Sequence, residues 1–299
     1  MPERRSQGER QGQNPGQGHG WEWDESLFRG SAPFYRKGRL PYAPGLAGRL
    51  VAAAGLDGDS RVIDIGCGPG VLALDLAPFV AAVLGLDPDP EMLAEAARRA
   101  AAAGLANLAW VQARAEDLSA ALPPGSAPFH AATFGQSFHW MDRPRVAAIL
   151  EDLLVPGGAF VYVADVKEPP APPSAPPPAP TPPYAAVEDL VRRYLGPVRR
   201  AGQGTLPHGT PGGEAAVLHA AGYGAPERIV VPAGPPLVRA PDDIVAWAWS
   251  RSGSAPHLFG ERREAFEADL RRLLSEVAPD DSFAEQPPDT EIVIWRTPR

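Results

Sequence analysis

An aspartate and three glycines follow one another at the end of a short apolar run, and they form the pattern with the clearest chemistry in this sequence. Residues 62–65 read Val-Ile-Asp-Ile, and Gly66, Gly68 and Gly70 come next at alternate positions. Glycine lets the chain turn sharply and lets a ligand lie directly against the backbone. The helix expected after the loop would offer free N–H groups. Because Asp64 would attract a cationic amine and repel a pyrophosphate, the pattern predicts a binding loop for a ligand with an amine.

A second carboxylate and a polar turn follow at the ends of the next two predicted strands. Asp87 lies 21 positions after Gly66, the spacing at which a carboxylate can accept hydrogen bonds from both hydroxyls of a ribose. The run Ala113-Arg114-Ala115-Glu116-Asp117 comes after the third strand, and such a short polar turn can flank an adenine and hydrogen-bond to it. These positions favour a nucleoside ligand.

A weaker pattern favours a different ligand. Residues 68–73 fit the spacing G-x-G-x-x-A of dinucleotide-binding loops. In that motif the glycines follow the strand directly, whereas here the strand ends one glycine earlier and Asp64 stands where a neutral residue is needed. An NAD-dependent oxidoreductase is therefore the weaker alternative, beside a non-catalytic protein that binds a nucleoside cofactor. No metal site is expected, because the sequence has no His-x-x-x-His pair, no carboxylate pair at ligand spacing and no cysteine cluster.

The elements that must position these residues alternate between strands and helices from Arg61 onward. Apolar runs predict strands at 62–65, 81–86, 108–111, 129–134, 159–164, 229–231 and 291–295. Helices are predicted at 71–79, 90–103, 143–154, 185–194, 214–221, 241–250 and 261–277. This alternation predicts a parallel sheet with helices on both faces.

Composition and charge narrow the class of protein further. Of the 299 residues 44% are apolar and 21% are charged, which is ordinary for a globular chain with a packed core. The net charge of −8 argues against nucleic acid as the main partner. Cys67 is the only cysteine, so an intramolecular disulfide or a cysteine-based zinc cluster is excluded. No segment approaches the roughly 20 apolar residues of a membrane span, and we expect a soluble, cytoplasmic protein.

Three motifs carry a resemblance to a known family. The loop at 64–70 (DIGCGPG), the stretch at 86–93 (LDPDPEML) and the turn at 115–118 (AEDL) resemble those of class I S-adenosylmethionine-dependent methyltransferases. The subtype is similar to bacterial small-molecule enzymes of the ubiquinone-biosynthesis and trans-aconitate type. The lead-in around residues 28–44 and the stretch at 137–142 (SFHWMD) are also similar, so that the resemblance covers about residues 26–164.

The resemblance implies a Rossmann-like α/β fold. It has a seven-stranded, mostly parallel sheet with helices on both faces, an antiparallel last strand and a helical cap region. Together with changes in composition, it divides the chain into a disordered tail (1–20), a lead-in with lid helices (21–60) and a cofactor-binding core (61–165). A proline-rich loop (166–184) and a C-terminal part (185–299), which completes the sheet and caps the substrate, follow.

The resemblance also implies S-adenosylmethionine as methyl donor and S-adenosylhomocysteine as product. The amino-acid end of the donor would lie among Asp64, Gly66, Gly68, Gly70 and Gln136, with Tyr35 and Arg39 over its carboxylate. Asp87 would bind the ribose, and Pro88, Met92, Ala115 and Glu116 would lie near the nucleoside. Asp117 is an alternative to Glu116, and Met92 is equally typical of a core residue. The family often has Arg-Pro where this chain has Arg39-Leu40.

The acceptor side has weaker signals. His139 follows the strand that ends beside the reactive methyl in the resembling family, so it is the candidate base or positioning group. A histidine with the ordinary pKa of about 6.5 accepts a proton near pH 7. Trp140 and Trp247 are candidate substrate contacts; Trp247 and Trp249 cannot share one helix face, so one of them is expected in the substrate cavity. The expected partner is a small molecule methylated on oxygen, nitrogen or carbon, and the protein is expected to be a monomer or homodimer.

Overall fold

The computed structural model describes residues 24–167, 179–201, 204–205 and 212–298. The predicted tail at 1–20 and residues 168–178 of the proline-rich loop lie outside these ranges. The end of that loop is part of the packed structure, because the carbonyl of Pro180 accepts a hydrogen bond from the N–H of Ala284 at 3.0 Å and Pro182 is buried.

Seven strands form the main sheet. They are β1 (Arg61–Ile65), β2 (Ala82–Asp87), β3 (Leu108–Gln112), β4 (Phe129–Gly135), β5 (Leu154–Asp165), β6 (Glu227–Val231) and β7 (Thr290–Arg296). Their order is β3-β2-β1-β4-β5-β7-β6, and β7 is antiparallel to both of its neighbours. The predicted seven-stranded, mostly parallel sheet with an antiparallel last strand is confirmed. Strands β2 and β3 lie on one side of β1, whereas β4 and β5 lie on the other side. This reversal of the strand order places a crevice at the carboxyl ends of β1 and β4.

Helices cover the sheet and build the cap. They are α1 (Ala32–Gly38), α2 (Leu46–Ala54), α3 (Val71–Leu76), α4 (Pro90–Ala102), α5 (Leu118–Ala121), α6 (Arg143–Leu153), α7 (Tyr184–Leu195), α8 (Glu214–Ala220), α9 (Pro241–Trp249) and α10 (Arg263–Val277). The helix predicted at 71–79 ends early: α3 stops at Leu76 and a 3₁₀ turn follows at Ala77–Phe79, because Pro78 has no N–H to continue the helix.

Two apolar layers enclose the sheet, one on each face. Leu50, Leu72 and Val161 belong to the layer on the α2 and α3 side. Phe134 and Phe160 belong to the layer on the α6 and α8 side, where their rings stack with centroids 4.4 Å apart. Because both faces are buried, the central strands read as continuous apolar runs, and this is why the sequence revealed them.

The cap has a separate core in which α7, α9 and α10 pack together. Trp249, Phe266 and Leu270 are fully buried there, and Phe266, Leu270 and Leu274 form the apolar stripe of α10 at a spacing of four residues. Two short antiparallel pairs, Leu237–Arg239 with Phe283–Glu285 and Arg200–Ala201 with Gly204–Thr205, were not predicted from the sequence. Strands of two or three residues contain too few side chains to show a period.

Helix α1 is attached to cap helix α9. A Cβ on Gly38 would lie 2.4 Å from the backbone of Ala246, so the two backbones are in direct contact. The hydroxyl of Ser31 donates to the carbonyl of Trp249 at 2.8 Å, and Nη2 of Arg239 donates to the carbonyl of Gly38 at 3.1 Å. This attachment positions the lead-in over the carboxyl edge of the sheet.

Candidate functional site

A cleft opens at the carboxyl ends of β1, β2 and β4, the place where open α/β sheets bind their ligands. Ten of the residues predicted from the sequence line it: Tyr35, Gly66, Gly68, Asp87, Pro88, Met92, Ala115, Glu116, Gln136 and Trp140. Phe28, Leu86, Arg114, Gly135, Ser137 and Met141 line it as well. Asp64, Gly70, Arg39, His139 and Trp247 are not part of this lining.

The glycine loop forms one wall of the cleft through backbone that no side chain covers. Gly66 has φ +65°, and a Cβ there would lie 2.6 Å from Cβ of Ser137. Gly68 has φ +53°, and a Cβ there would meet no atom within 4 Å, because this residue faces the open cleft. Gly70 packs instead: a Cβ would lie 2.6 Å from Cδ1 of Leu74 and 2.9 Å from Cη2 of Trp110. Gly68 therefore leaves room for a ligand, Gly66 allows the loop to pack closely on Ser137, and Gly70 closes the loop onto the core.

Asp64 is buried at the end of β1 with one carboxylate oxygen unsatisfied. Asp64 is only 1% exposed to solvent. The hydroxyl of Thr133 donates to Oδ1 at 2.8 Å, and the N–H of Ala73 in the first turn of α3 also stabilises the charge. Oδ2 is buried and has no hydrogen-bond donor. Desolvation raises the pKa of Asp64 to about 7. A buried carboxylate oxygen without a donor fits a cationic amine.

Asp87 joins the glycine loop to the start of α4. Its Oδ2 accepts from the N–H of Gly68 at 2.8 Å and its Oδ1 accepts from the N–H of Asp89 at 2.9 Å. Each oxygen of a carboxylate has two acceptor positions, so one on each oxygen is left for a pair of hydroxyls. Burial raises the pKa of Asp87 to about 6.

We predict that Asp87→Asn weakens binding of a nucleoside ligand roughly 10- to 100-fold. The amide has a single acceptor oxygen and no charge, and a charge-assisted hydrogen bond contributes about 1.5–3 kcal/mol. Isothermal titration calorimetry with S-adenosylhomocysteine measures the change. Asp152→Asn, an exposed residue on α6, is the matched control and should bind as the wild type does. An unchanged dissociation constant in Asp87→Asn would show that another residue holds the ribose.

Glu116, and not Asp117, faces inward at the turn after β3. Glu116 is buried, its Oε1 accepts from the N–H of Asp142 at 2.8 Å, and its Oε2 lies 3.4 Å from Nε of Arg114. Asp117 lies outside and is 3.7 Å from Nη2 of Arg145. The choice between the two carboxylates that the sequence left open therefore falls on Glu116.

The lead-in covers the cleft. The ring of Phe28 lies against that of Trp140 with centroids 5.5 Å apart, and the N–H of Gly30 donates to Oε2 of Glu91 at 2.9 Å. Arg39 lies beside this cover: its Nη2 donates to the carbonyl of Ser250 at 2.9 Å, and its Nε is buried without a hydrogen-bond partner. Phe28 was not chosen as a site residue from the sequence, although the aromatic-rich lead-in was the signal that could have found it.

His139, the candidate base of the acceptor side, has a buried environment of its own. His139 is outside the cleft lining, and its charged neighbours are Glu214, Lys167 and Arg143. Desolvation lowers the pKa of His139 to about 4, which corrects the expectation of an ordinary value near 6.5.

Neither tryptophan of α9 lines the described cleft. The ring of Trp247 packs on that of Tyr184 with centroids 4.3 Å apart, and the guanidinium of Arg251 lies 4.5 Å from the Trp247 ring centre. Trp249 is fully buried in the cap core. That one of the two faces a substrate cavity stays a prediction.

Gln136 and Asp165 form a polar pair at the ends of β4 and β5. Gln136 has φ +54°, a left-handed conformation that is strained for a residue with a side chain. Its N–H donates to the carbonyl of Val163 at 2.9 Å, and its side chain hydrogen-bonds to the carboxyl group of Asp165. Asp165 was not predicted as a site residue, since its role depends on where β5 ends relative to β4.

Two further properties concern only the described residues. Among them, no group of three or more His, Cys, Asp or Glu side chains is arranged to hold a metal ion. No helix in the same ranges has the length and apolarity needed to cross a membrane.

Comparison with known proteins finds similarity to methyltransferases over the segment that contains most of the site. Residues 62–158 match the methyltransferase domain family. Trans-aconitate 2-methyltransferase of Methylobacterium nodulans is 37% identical over 143 residues, which are 47% of this chain and 52% of that protein. An uncharacterized methyltransferase of Mycobacterium tuberculosis is 32% identical over 146 residues, 48% of this chain and 55% of that protein. The chain thus spans about half the length of these relatives.

Among solved structures, that of YcgJ from Bacillus subtilis aligns with 85% of this chain and 98% of its own, with 19% identity and a TM-score of 0.48. The segment at 62–158 that matches the methyltransferase domain family contains nearly all of β1, all of β2 to β4, the glycine loop and Asp87. The candidate site thus lies largely in a segment, residues 62–158, that is similar to methyltransferase domains.

Proposed function

We propose that the protein transfers a methyl group from S-adenosylmethionine to an oxygen, nitrogen or carbon atom of a small molecule. The observation that carries the proposal is the buried carboxylate of Asp64, whose Oδ2 has no donor, next to a glycine loop that leaves backbone bare toward the cleft. An amine supplies the missing donor and charge, and the methionine part of the methyl donor ends in an amine. The methyltransferase domain match at 62–158 agrees with this chemistry.

The residues of the cleft suit the other parts of this donor. Asp87 has two acceptor positions for the ribose hydroxyls. Glu116 presents a buried carboxylate to the exocyclic amine of adenine, with Ala115 and Met92 as the apolar wall. Phe28 and Tyr35 of the lead-in add aromatic surface to the lining of the cleft.

When bound, the donor supplies a methyl group activated by a positively charged sulfur. The main task of the protein is to align that methyl with the acceptor atom and to keep the pocket dry. Alignment of this kind lowers the barrier by roughly 7–11 kcal/mol in the best intramolecular cases. The net charge of −8 supports a small acceptor and disfavours nucleic acid as the substrate. A cytoplasmic monomer or homodimer is part of this proposal.

Calorimetry with unlabelled ligands tests the proposal. We expect S-adenosylmethionine and S-adenosylhomocysteine to bind and NAD to show no heat of binding, since Asp64 repels a pyrophosphate at the glycine loop. Incubation with donor carrying an isotope-labelled methyl, followed by mass spectrometry of pooled alcohols, amines and carboxylates, then identifies the acceptor class. Binding of NAD without any response to S-adenosylhomocysteine would contradict the proposed function.

A further inference from the structure

Asp165 projects from the same face of the sheet as Asp64, but from a different place on it. Asp64 pairs with Thr133 on β4, and Thr133 pairs with Val161 on β5. Side chains alternate along a strand, so Val161, Val163 and Asp165 share one face. Asp165 is thus two strands from Asp64, about 10 Å across the sheet, and four residues, about 13 Å, farther toward the carboxyl edge. The two carboxylates would therefore contact different parts of a bound ligand.

The end of β5 extends beyond the end of β4 at the cleft. The last pair of the two strands is Gly135 with Val163, and both Gly135 and Gln136 line the cleft. Asp165 follows two residues after this pair, and its carboxyl group accepts a hydrogen bond from the side chain of Gln136. The left-handed backbone of Gln136 makes this bond possible, since it turns the chain back toward β5. Asp165 itself is not one of the residues that line the cleft, and the side chain of Gln136 connects its carboxylate to that lining.

Tyr42 is close enough to both carboxylates for their charges to act on its phenol. A Cβ on Gly135 would be 2.7 Å from its hydroxyl oxygen, so the phenol packs directly on the end of β4. Desolvation raises the pKa of Tyr42 well above its usual range, and the negative charges of Asp64 and Asp165 add to this. The phenol therefore keeps its proton and can donate a hydrogen bond.

The electrostatic surroundings of Asp165 suit a proton acceptor. Desolvation raises the pKa of Asp165, while the hydrogen bond from Gln136 and the charge of Arg39 lower it. For His139 the shift has the opposite direction, because burial lowers its pKa. Its charged neighbours Glu214 and Arg143 form an ion pair with each other on the opposite face of the sheet. The two groups therefore differ in direction, because burial raises the pKa of the Asp165 carboxyl group and lowers that of the His139 imidazole.

We propose that the carboxylate of Asp165 lies beside the methyl-transfer position and takes the proton of the acceptor, an inference that rests on the proposed function. The acceptor is a small molecule with a hydroxyl or amine. Its oxygen or nitrogen forms a bond to the methyl carbon as the carbon–sulfur bond breaks, and the electron pair of that bond stays on sulfur. The proton lost by the acceptor passes to a carboxylate oxygen of Asp165. The sulfur becomes a neutral thioether and Asp165 a neutral acid, so charge is conserved.

A test without the acceptor uses sinefungin, an analogue in which an amine-bearing carbon replaces the methylated sulfur of the donor. Its ammonium group would stand at the transfer position, within reach of Asp165. We expect the wild-type protein to bind sinefungin at least about tenfold more tightly than S-adenosylhomocysteine. In Asp165→Asn, which keeps an acceptor for the Gln136 side chain, this preference should disappear while the affinity for S-adenosylhomocysteine changes less than about twofold.

The controls separate this inference from its rivals. Asp152→Asn on α6 is the matched carboxylate-to-amide control and should keep the preference. If Asp165→Asn does not fold, as judged by circular dichroism, Asp165→Ala replaces it. Equal loss of affinity for both ligands would assign Asp165 to the amino-acid end and overturn the inference. An unchanged preference in Asp165→Asn, or its loss in His139→Asn alone, would overturn it too. If the wild type binds neither ligand, the proposed function itself fails before any variant is compared.

Discussion

Replacing Asp64 with asparagine is expected to weaken binding of S-adenosylhomocysteine by a hundredfold or more. The asparagine can still accept a hydrogen bond from Thr133, as Oδ1 of Asp64 does at 2.8 Å, so the fold is retained. What is lost is the charge that a cationic amine would meet in a buried setting, where removal of one partner costs about 2–5 kcal/mol. Calorimetry measures the affinity, and Asp152→Asn serves as the exposed control. A wild-type affinity in Asp64→Asn would show that the amine binds elsewhere.

The same variant should change how stability depends on pH. The pKa of Asp64 is raised from 3.8 to about 7 in the folded protein. Because the carboxyl group binds its proton more tightly in the folded protein than in the unfolded chain, its contribution to stability depends on pH. That contribution is fully present below pH 3.8 and is lost as the pH rises through 7. At pH 8, ligand-free Asp64→Asn should therefore have a higher free energy of unfolding than the wild type, by an amount on the order of a few kcal/mol. Its melting temperature should be higher accordingly. The difference should vanish near pH 4. Asp87, with a pKa of about 6, remains in both proteins and shifts both curves alike.

Ligand affinity should show the complementary dependence. Because the amine needs ionised Asp64, wild-type affinity for S-adenosylhomocysteine should rise as the pH increases from 5 to 7, and the rise should be much smaller in Asp64→Asn. Calorimetry in buffers of matched ionic strength gives both curves. Parallel curves for the two proteins would contradict the assignment of Asp64 to the amine.

Gly38→Ala is expected to detach the lid from the cap. Its Cβ would lie 2.4 Å from the backbone carbon and oxygen of Ala246, which cannot move away as a flexible side chain can. Overpacking of this kind costs about 1–3 kcal/mol, and thermal denaturation should show a matching loss. Since α1 carries Tyr35, which lines the cleft, the affinity for S-adenosylhomocysteine should fall as well.

Gly48→Ala provides the matched control, because Gly48 lies within α2 and a Cβ there would meet no atom within 4 Å. This change should raise stability by about 0.4–1 kcal/mol through the lower entropy of the unfolded chain. If Gly38→Ala behaves like Gly48→Ala, the α1–α9 contact does not hold the lid.

The sequence by itself determined the elements whose signals are local. Strands β1 to β5 are short apolar runs because both faces of the sheet are covered, and this pattern is visible without knowledge of the partners. The glycine loop and Asp87 were equally readable. A loop that leaves backbone bare needs glycine at particular positions, and a carboxylate at the next strand end lies at a fixed number of residues from it.

Only the tertiary structure decided how distant segments meet. The register of β5 against β4 brings Asp165 to Gln136, and no local period reveals a register between strands. Burial lowers the pKa of His139 although the charge of Glu214 acts in the opposite direction, because desolvation depends on every element around a group. Trp247 joins Tyr184 in the cap because α7 and α9 pack together, a contact between residues 63 positions apart. Short-range patterns specify the elements and the loop, whereas burial and charge at the site arise from the sum of contacts made after those elements pack.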